Sequence, residues 1–536
     1  MASDRESIDI LRHTNRVVVQ IQRSVYSFYD SAPVNLLTYR QSTQWHELII
    51  AGPVANCAGS RGNSFPGIYC YNPAEKTQWV VMADGPVDWS ECRLGVSPQD
   101  DALELGLFST GVIDPQVSLK VWQSKTNDLP SQWQAMETLV AKSFELIPLP
   151  TRPDFTPDWV KLASECLAGL SSKGQHPLAQ QLGGVAYHSM LDERNSLYAT
   201  PKPYIELIPQ VSIARALHRA TQDTPVEDVT GISRKLVERV IPLFFNPELG
   251  VFENTYSGET RTRQKGIPRR SPKKAHGSQA SKHVVLETWY ALSNLSDVLY
   301  LCEAFPANDL RELAIESVLT WIAIGKEIGH IWPLFLDLTT WESQGGKLNV
   351  AAGGLYANVM LSAARIWPDR GEELKIEAAQ ALTVMRRFPV QQLFHQPEQL
   401  AKAADSAFVL GVEDGSYEKM GHDFVHALLL MMYRDPINAG LFEGCAGMMY
   451  PTFRESVASL MTLAALGDRA RELPIGSICE LGLSKCYGFL RHYGAGTVLP
   501  GEGLGTKEVP NAGHIGTAIY AAGGVFDLAY IQRTLM

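Results

Sequence analysis

The stretch GHIWPLFLDLTTWESQGG, Gly329 to Gly346, sets two tryptophans, Trp332 and Trp341, beside two acids, Asp337 and Glu342, and ends in paired glycines. A carboxyl group next to an aromatic surface is what acid–base chemistry on a substrate ring requires: one group gives a proton, and a second takes one or attacks. Asp337 and Glu342 are five positions apart, which on a regular helix turns them about 140° from each other, so they do not face one substrate together. Asp337, with Trp332 near it, is the stronger candidate, and Trp341 and Glu342 read as part of the loop leading to Gly345. The competing reading is the bulky buried end of a helix, closed by glycines.

Other segments offer similar groups. The run YEKMGHDFVH puts His422 and His426 on one helical face with Asp423 beside them and Tyr417 just upstream, in a helix otherwise too apolar to welcome polar groups. Glu253 in VFENTY, Glu287 in LETWY, Glu443 in LFEGCAG, and Glu502 with His514 complete the set. If distant segments meet at one cavity, Asp337 and Asp423 are the acid and base candidates, with His422 assisting and Glu253 and Glu443 in reserve. Trp332, Trp341, Glu287, Tyr417 and His514 would then hold the substrate. The structural alternative for each histidine is a core residue with its hydrogen bonds satisfied.

Metal and cofactor signals are weak. Cys445, Cys486 and His492 are of zinc-binding type, and CYG and HYG bear a faint likeness to the toroidal lanthionine cyclases, but that family spaces its ligands much farther apart. No metal site and no cofactor are expected, since the chain shows no Walker loop, dinucleotide fingerprint or GxSxG elbow. DDALE (Asp100–Glu104) and NDLRELAIE (Asn308–Glu316) resemble the metal motifs of terpenoid cyclases; the first falls among strands and the second is also an ordinary helix start.

These groups sit in a chain of 536 residues, 45% hydrophobic and 19% charged, long enough for one large core or two unequal ones. Its first residues carry Asp4, Arg5, Glu6 and Asp9 where a secretory signal would need an apolar run, and no window reaches twenty uninterrupted apolar residues, so a cytoplasmic protein with no membrane partner is expected. Eight scattered cysteines without a CxxC pair fit reduced thiols. A net charge of −10 argues against nucleic acid as a partner. One local exception is Arg261–His283, with eight Lys or Arg, two His and no acid: either a solvated loop or a lid attracting an anionic substrate.

The elements that must position these residues fall into two kinds. From about Arg16 to Val121, VVVQIQ, HELII, GIYCYN, TQWVVMA and VSLKVW are strand-like runs between turn clusters, giving a β domain over residues 1–130. From Ser131 to Met536 about twelve helical segments follow, with a further short helix in PEQLAKAADSAFVL. NDLRELAIESVLTW and RGEELKIEAAQALTVMRRF have one charged face, whereas GGLYANVMLSAARIW, FVHALLLMMY and GTAIYAAGGVFDLAY are apolar or small all round. An outer ring enclosing an inner ring satisfies both patterns.

In that alternation, and in FFNPELGVFENTYSGE, HVVLETWYALSNLSDVLYL and WPLFLDLTTWESQGGKLNVAAGGLYANVMLSAARIW, residues 131–536 resemble the (α/α) toroids of six-hairpin glycosidases, polysaccharide lyases and sugar epimerases. The resemblance implies a mainly α fold, an (α/α)6-like double ring behind a smaller β domain, and an enzyme acting on an oligosaccharide or glycoside, acidic ones included. No catalytic motif of those families is present, so no residue role is transferred. A terpenoid or other natural-product cyclase with an apolar cavity is the alternative, and a non-catalytic binding protein is the third reading. Hydrolysis, elimination and epimerisation stay open.

Overall fold

The computed structural model describes residues 10–14, 18–21, 24–27, 35–41, 48–51, 65–85, 92–98, 103–109, 116–152, 157–158, 161–162, 164–166, 168, 190–191, 204–221, 229–256, 285–306, 309–435, 438–444, 451–470, 472–492, 498–500, 517–518 and 523–535. The strands that open it are β1 (Ile10–Thr14), β2 (Val18–Ile21), β3 (Ser24–Ser27), β4 (Asn35–Gln41), β5 (Leu48–Ala51), β6 (Gly67–Asn72), β7 (Thr77–Asp84), β8 (Cys92–Pro98), β9 (Leu103–Ser109) and β10 (Ser118–Lys125). They pair antiparallel in two four-stranded sheets, ordered β1-β4-β9-β8 and β10-β7-β6-β5, with β2 and β3 a separate hairpin. Each run read as a strand from its β-branched and aromatic content falls on a strand. Every residue of β6 is buried, because its sheet packs on the other sheet and on the helix that follows.

That helix, α1 (Gln132–Leu146), begins with a capping box: Gln134 N–H donates to Ser131 Oγ, and Ser131 N–H donates to Gln134 Oε1 at 3.0 Å. Helices α2 (Leu207–Thr221), α3 (Val229–Lys235), α4 (Thr288–Ala304), α5 (Leu310–Glu327), α6 (Ala352–Ile366), α7 (Gly371–Arg386), α8 (Pro397–Gly411), α9 (Gly415–Leu429), α10 (Phe453–Leu466), α11 (Ile475–Gly488) and α12 (Gly523–Leu535) follow. The even-numbered helices from α2 to α12 each pack on the next, and α12 packs back on α2, closing a six-membered inner ring. The odd-numbered helices from α3 to α11 lie outside it, each against its hairpin partner. The fold is therefore a double-ring (α/α) toroid preceded by a smaller β domain.

Two details depart from the sequence reading. FVHALLLMMY, read as inner, belongs to α9 in the outer ring. It is apolar all round because α1 covers its outward face, with Trp133 set edge-on to Phe424 at 5.9 Å. PEQLAKAADSAFVL, read as a short extra helix, is the full-length inner helix α8.

Short connections lead from inner to outer helices: 305–309, 367–370, 412–414 and 467–474. The returns from outer to inner are mostly far longer: 328–351, 387–396, 430–452 and 489–522. Consecutive helices joined this way run antiparallel, so the inner helices are parallel and the long segments gather at their N-terminal ends. That end is called the mouth below.

Inner helices approach closely through small residues. A Cβ on Gly354 of α6 would lie 2.3 Å from Gln399 O and 2.7 Å from Ala403 Cβ of α8. Alanine gains about 1 kcal/mol of helix propensity over glycine, but overpacking against a backbone oxygen costs about 1–3 kcal/mol. Gly354→Ala should therefore lower the urea midpoint, and an unchanged or higher midpoint would contradict the close α6–α8 approach.

Candidate functional site

At the mouth, polar side chains from three inner helices meet, those of two of them charged. Arg454, in the first turn of α10, donates to Glu398 Oε2 of α8 at 2.8 Å and to Glu455 Oε1 at 3.3 Å. It also reaches α4, where Ser293 Oγ accepts from Arg454 Nη2 at 3.3 Å and donates to Glu398 Oε1 at 3.0 Å. Since α4 and α10 are opposite members of the ring, this one guanidinium spans the lumen. It lies over the rings of Trp289 and Tyr290, 5.0 and 5.9 Å from their centroids, and these two rings are themselves 3.8 Å apart. Glu287 accepts the Trp289 indole N–H at 2.8 Å and so fixes that ring.

Local structure explains why Glu455 faces the lumen. Thr452-Phe453-Arg454-Glu455 has the pattern of a capping box, in which Glu455 would accept the Thr452 backbone N–H. Phe442 O takes that N–H instead, at 3.3 Å, and the Glu455 carboxylate turns to Arg454 and to the backbone N–H of Glu398 at 3.4 Å, in the first turn of α8. Burial pushes the Glu455 carboxyl up; the Arg454 charge and the Glu398 amide pull it down, and the Glu398 charge pushes it up again. The net direction is upward, as a proton donor requires.

Deeper along the inner helices a second charged layer joins three neighbouring members of the ring, α12, α2 and α4. Arg215 of α2 pairs with Asp297 of α4 at 2.6 Å and Asp527 of α12 at 2.8 Å, and Arg219 pairs with Asp527 at 3.2 Å between the Tyr300 and Tyr530 rings. Against the cost of burial, the Asp297 and Asp527 charges hold the Arg215 pKa above its ordinary value.

The residues singled out from the sequence are scattered. Glu287 is at the mouth, joined to the Arg454 cluster through Trp289. Asp337 is buried at the foot of a hairpin, where its Oδ1 accepts Thr339 N–H at 2.8 Å and its carbonyl accepts Trp341 N–H at 2.7 Å, so it serves to turn the chain. Trp341 lies in that turn at φ 59°, and Gly345 and Gly346 follow at φ 79° and 66°. Trp332 is fully buried between Trp321 and Tyr356, so it is core rather than an exposed floor. Asp423 is on the outer ring, bonded to Arg386 of α7 at 3.0 Å under the Trp133 ring. His422 stacks edge-on against Phe408 at 5.0 Å, and Tyr417 is in the first turn of α9, at the end away from the mouth. Glu253 accepts from Asn246 Nδ2 at 2.5 Å within its own hairpin. Glu443 is buried in the long segment ahead of α10. His514, Glu502 and the basic run 261–283 lie outside the described residues.

Glu398, Arg454 and Glu455 are the groups that sequence reasoning passed over. The signal for Glu398 was the parity of the helices: with α9 assigned outward, the helix holding PEQL must face inward.

Among the described residues no group of three His, Cys, Asp or Glu side chains is placed to hold a metal ion, and no helix is long and apolar enough to cross a membrane. Cys486 is buried in α11; Cys445 and the His492 side chain lie outside the described residues.

No protein-family model matches the sequence, and no curated protein matches it. Solved structures do. A cellobiose 2-epimerase from Bacillus thermoamylovorans superposes with a TM-score of 0.51 at 12% identity, over 70% of this chain and 97% of that one. A D-mannose isomerase gives 0.47 at 8% identity, over 71% of this chain and 100% of that one. An α-1,6-mannanase from Salegentibacter gives 0.45 at 11%, over 71% and 100%. The first of these agrees with the toroid described above, and at such identity the likeness concerns fold alone.

Glu443 yields a pH test. Burial pushes its carboxyl well above the ordinary 4.5, so the folded state holds the proton more tightly than the unfolded state. Its contribution to stability is complete below the unfolded value and is lost as pH rises past that value toward the folded one. Glu443→Gln removes this loss. Melting temperatures of variant and wild type should diverge as pH rises above the ordinary carboxyl value, the variant gaining with rising pH; parallel curves would contradict the assignment.

Proposed function

We propose that this chain is an enzyme acting on a sugar at the mouth of the toroid by general acid–base catalysis. Glu455, in its protonated form, gives the proton; Glu398 is the partner carboxylate; Arg454 orients both; and Tyr290, half-buried against the core residue Trp289, supplies the aromatic surface against which a sugar face rests. The observation that carries this reading is the convergence of two buried carboxylates from neighbouring helices on one guanidinium, backed by a close, tilted aromatic pair. Two acids to one base suit a neutral sugar better than a uronate, which would add a further negative charge. The carbohydrate class is supported at the level of fold by the likeness to an epimerase, an analogy and not a mechanism. Against a cyclase, the lumen carries Arg215, Asp297, Glu398, Arg454 and Asp527 where such a substrate would need an apolar wall.

A binding protein without turnover is the second reading, favoured by the fact that Arg454 already occupies an oxygen of each carboxylate. Cellobiose, mannose and an α-1,6-mannan are the first substrates to assay, with products separated to distinguish hydrolysis from epimerisation. Glu398→Gln and Glu455→Gln should each lower turnover by about 10²–10⁴-fold while circular dichroism stays native. The wild-type rate should fall as pH rises through the elevated Glu455 pKa, and the residual rate of Glu455→Gln should lack that fall. Unchanged turnover in both variants would remove the assignment, and saturable binding without product would select the second reading.

A further inference from the structure

Helix α1 joins the sheets to the toroid, and both of its ends are bonded to chain that leads into α8 and α10. At its start, Gln132 Nε2 donates to Phe388 O at 2.9 Å, and Gln132 Oε1 accepts Val390 N–H at 3.0 Å. Val390 opens the turn 390–392; Leu393 N–H returns to Val390 O, His395 N–H to Leu393 O, and Pro397 begins α8 one residue before Glu398. At the other end of α1, Arg434 Nη1 donates to Ser143 Oγ at 2.6 Å and Nη2 to Ser143 O at 3.1 Å and to Ile147 O, with the guanidinium 4.2 Å from the Phe144 centroid.

From Arg434 a ladder of hydrogen bonds runs to α10. Tyr433 N–H donates to Leu441 O at 2.8 Å, and Glu443 N–H to Met431 O at 3.0 Å. Phe442 N–H then donates to Ser456 Oγ at 3.0 Å, while Phe442 O accepts the Thr452 N–H at the start of the helix that carries Arg454 and Glu455. The oxygens that Arg434 bonds on α1 are neutral, and burial pulls its pKa down to about 9, which still leaves it charged at neutral pH. A buried cation held by neutral groups is costly for stability alone.

We infer that α1 is a brace which, by fixing the chain entering α8 at one end and the ribbon entering α10 at the other, sets the position of Glu398 relative to Arg454 and Glu455. Gln132 and Arg434 are its positioning residues, and the sheets behind α1 hold it: Lys120 of β10 donates to Leu146 O at 2.6 Å, and Leu139 packs at Gly67 of β6. The consequence for turnover rests on the function proposed above; the brace itself does not.

Amide hydrogen exchange on the full chain tests it without a substrate. Gln132→Ala should speed exchange about tenfold in the peptide carrying Val390–Glu398, and Arg434→Lys, which keeps the charge but not the forked geometry, should do the same for the peptide carrying Arg454–Ser456, with α4 and α6 unchanged. Acceleration confined to α1, or spread evenly through the toroid, would overturn the inference; should Arg434→Lys not fold, Gln132→Ala decides alone. Where a sugar of the panel turns over, the double variant should lose about tenfold in kcat with KM within about twofold. If Glu398→Gln and Glu455→Gln both leave turnover intact, the functional reading has failed, and the exchange result still decides the brace.

Discussion

One guanidinium holds the centre of this structure. Arg454 starts on one side of the inner ring and is bonded to a helix beside it and to the helix opposite, so the carboxylates of Glu398 and Glu455 are kept together in a place where neither would be stable alone. Removing one partner from such a buried set costs about 3–5 kcal/mol, whereas the intact set contributes little net stability. Charge is therefore a poor explanation of why the toroid folds. The apolar contacts between the rings do that, and the closed ring imposes the distances at which the charged groups meet.

Ring closure also explains the division between the two ends of the molecule. Tight inner-to-outer turns leave no room for insertion, while the outer-to-inner returns carry hairpins, ribbons and long loops. Asp337 and Glu443 both belong to such returns, and each is buried while serving or adjoining a turn. Their acidity does not by itself mark them as reactive. The same holds for Asp423, whose Arg386 partner ties two outer helices together beneath α1. Buried acids are numerous in this chain; those with a guanidinium, an aromatic pair and the lumen in common are few.

Much of the architecture was legible in the sequence. NDLRELAIESVLTW and RGEELKIEAAQALTVMRRF announced helices with water on one side, GGLYANVMLSAARIW announced one surrounded by protein, and the β-branched runs before Ser131 announced strands. The reading failed where a third layer intervenes. With α1 lying over it, the outer helix α9 has no wet face, and its apolarity imitates that of an inner helix. Read as inner, α9 brings His422 and Asp423 forward as site candidates and leaves PEQL aside. Glu455 was hidden for another reason: Thr452 and Glu455 have the spacing of a self-contained cap, and only the carbonyl of Phe442, brought in by a distant ribbon, diverts the carboxylate. Trp332 and Asp337 are adjacent to the right surface in sequence yet point into core and turn, a difference that spacing alone does not encode.

The central claim is that far-separated helices deliver one reactive cluster to the mouth of a closed ring, and a sugar-soaked crystal tests it most directly. The account predicts difference density for a soaked neutral sugar over Tyr290, within hydrogen-bonding distance of Arg454, Glu398 or Glu455. Ordered sugar on the outer surface, or at the opposite end of the lumen beside Arg219, with the mouth cluster untouched, would contradict it.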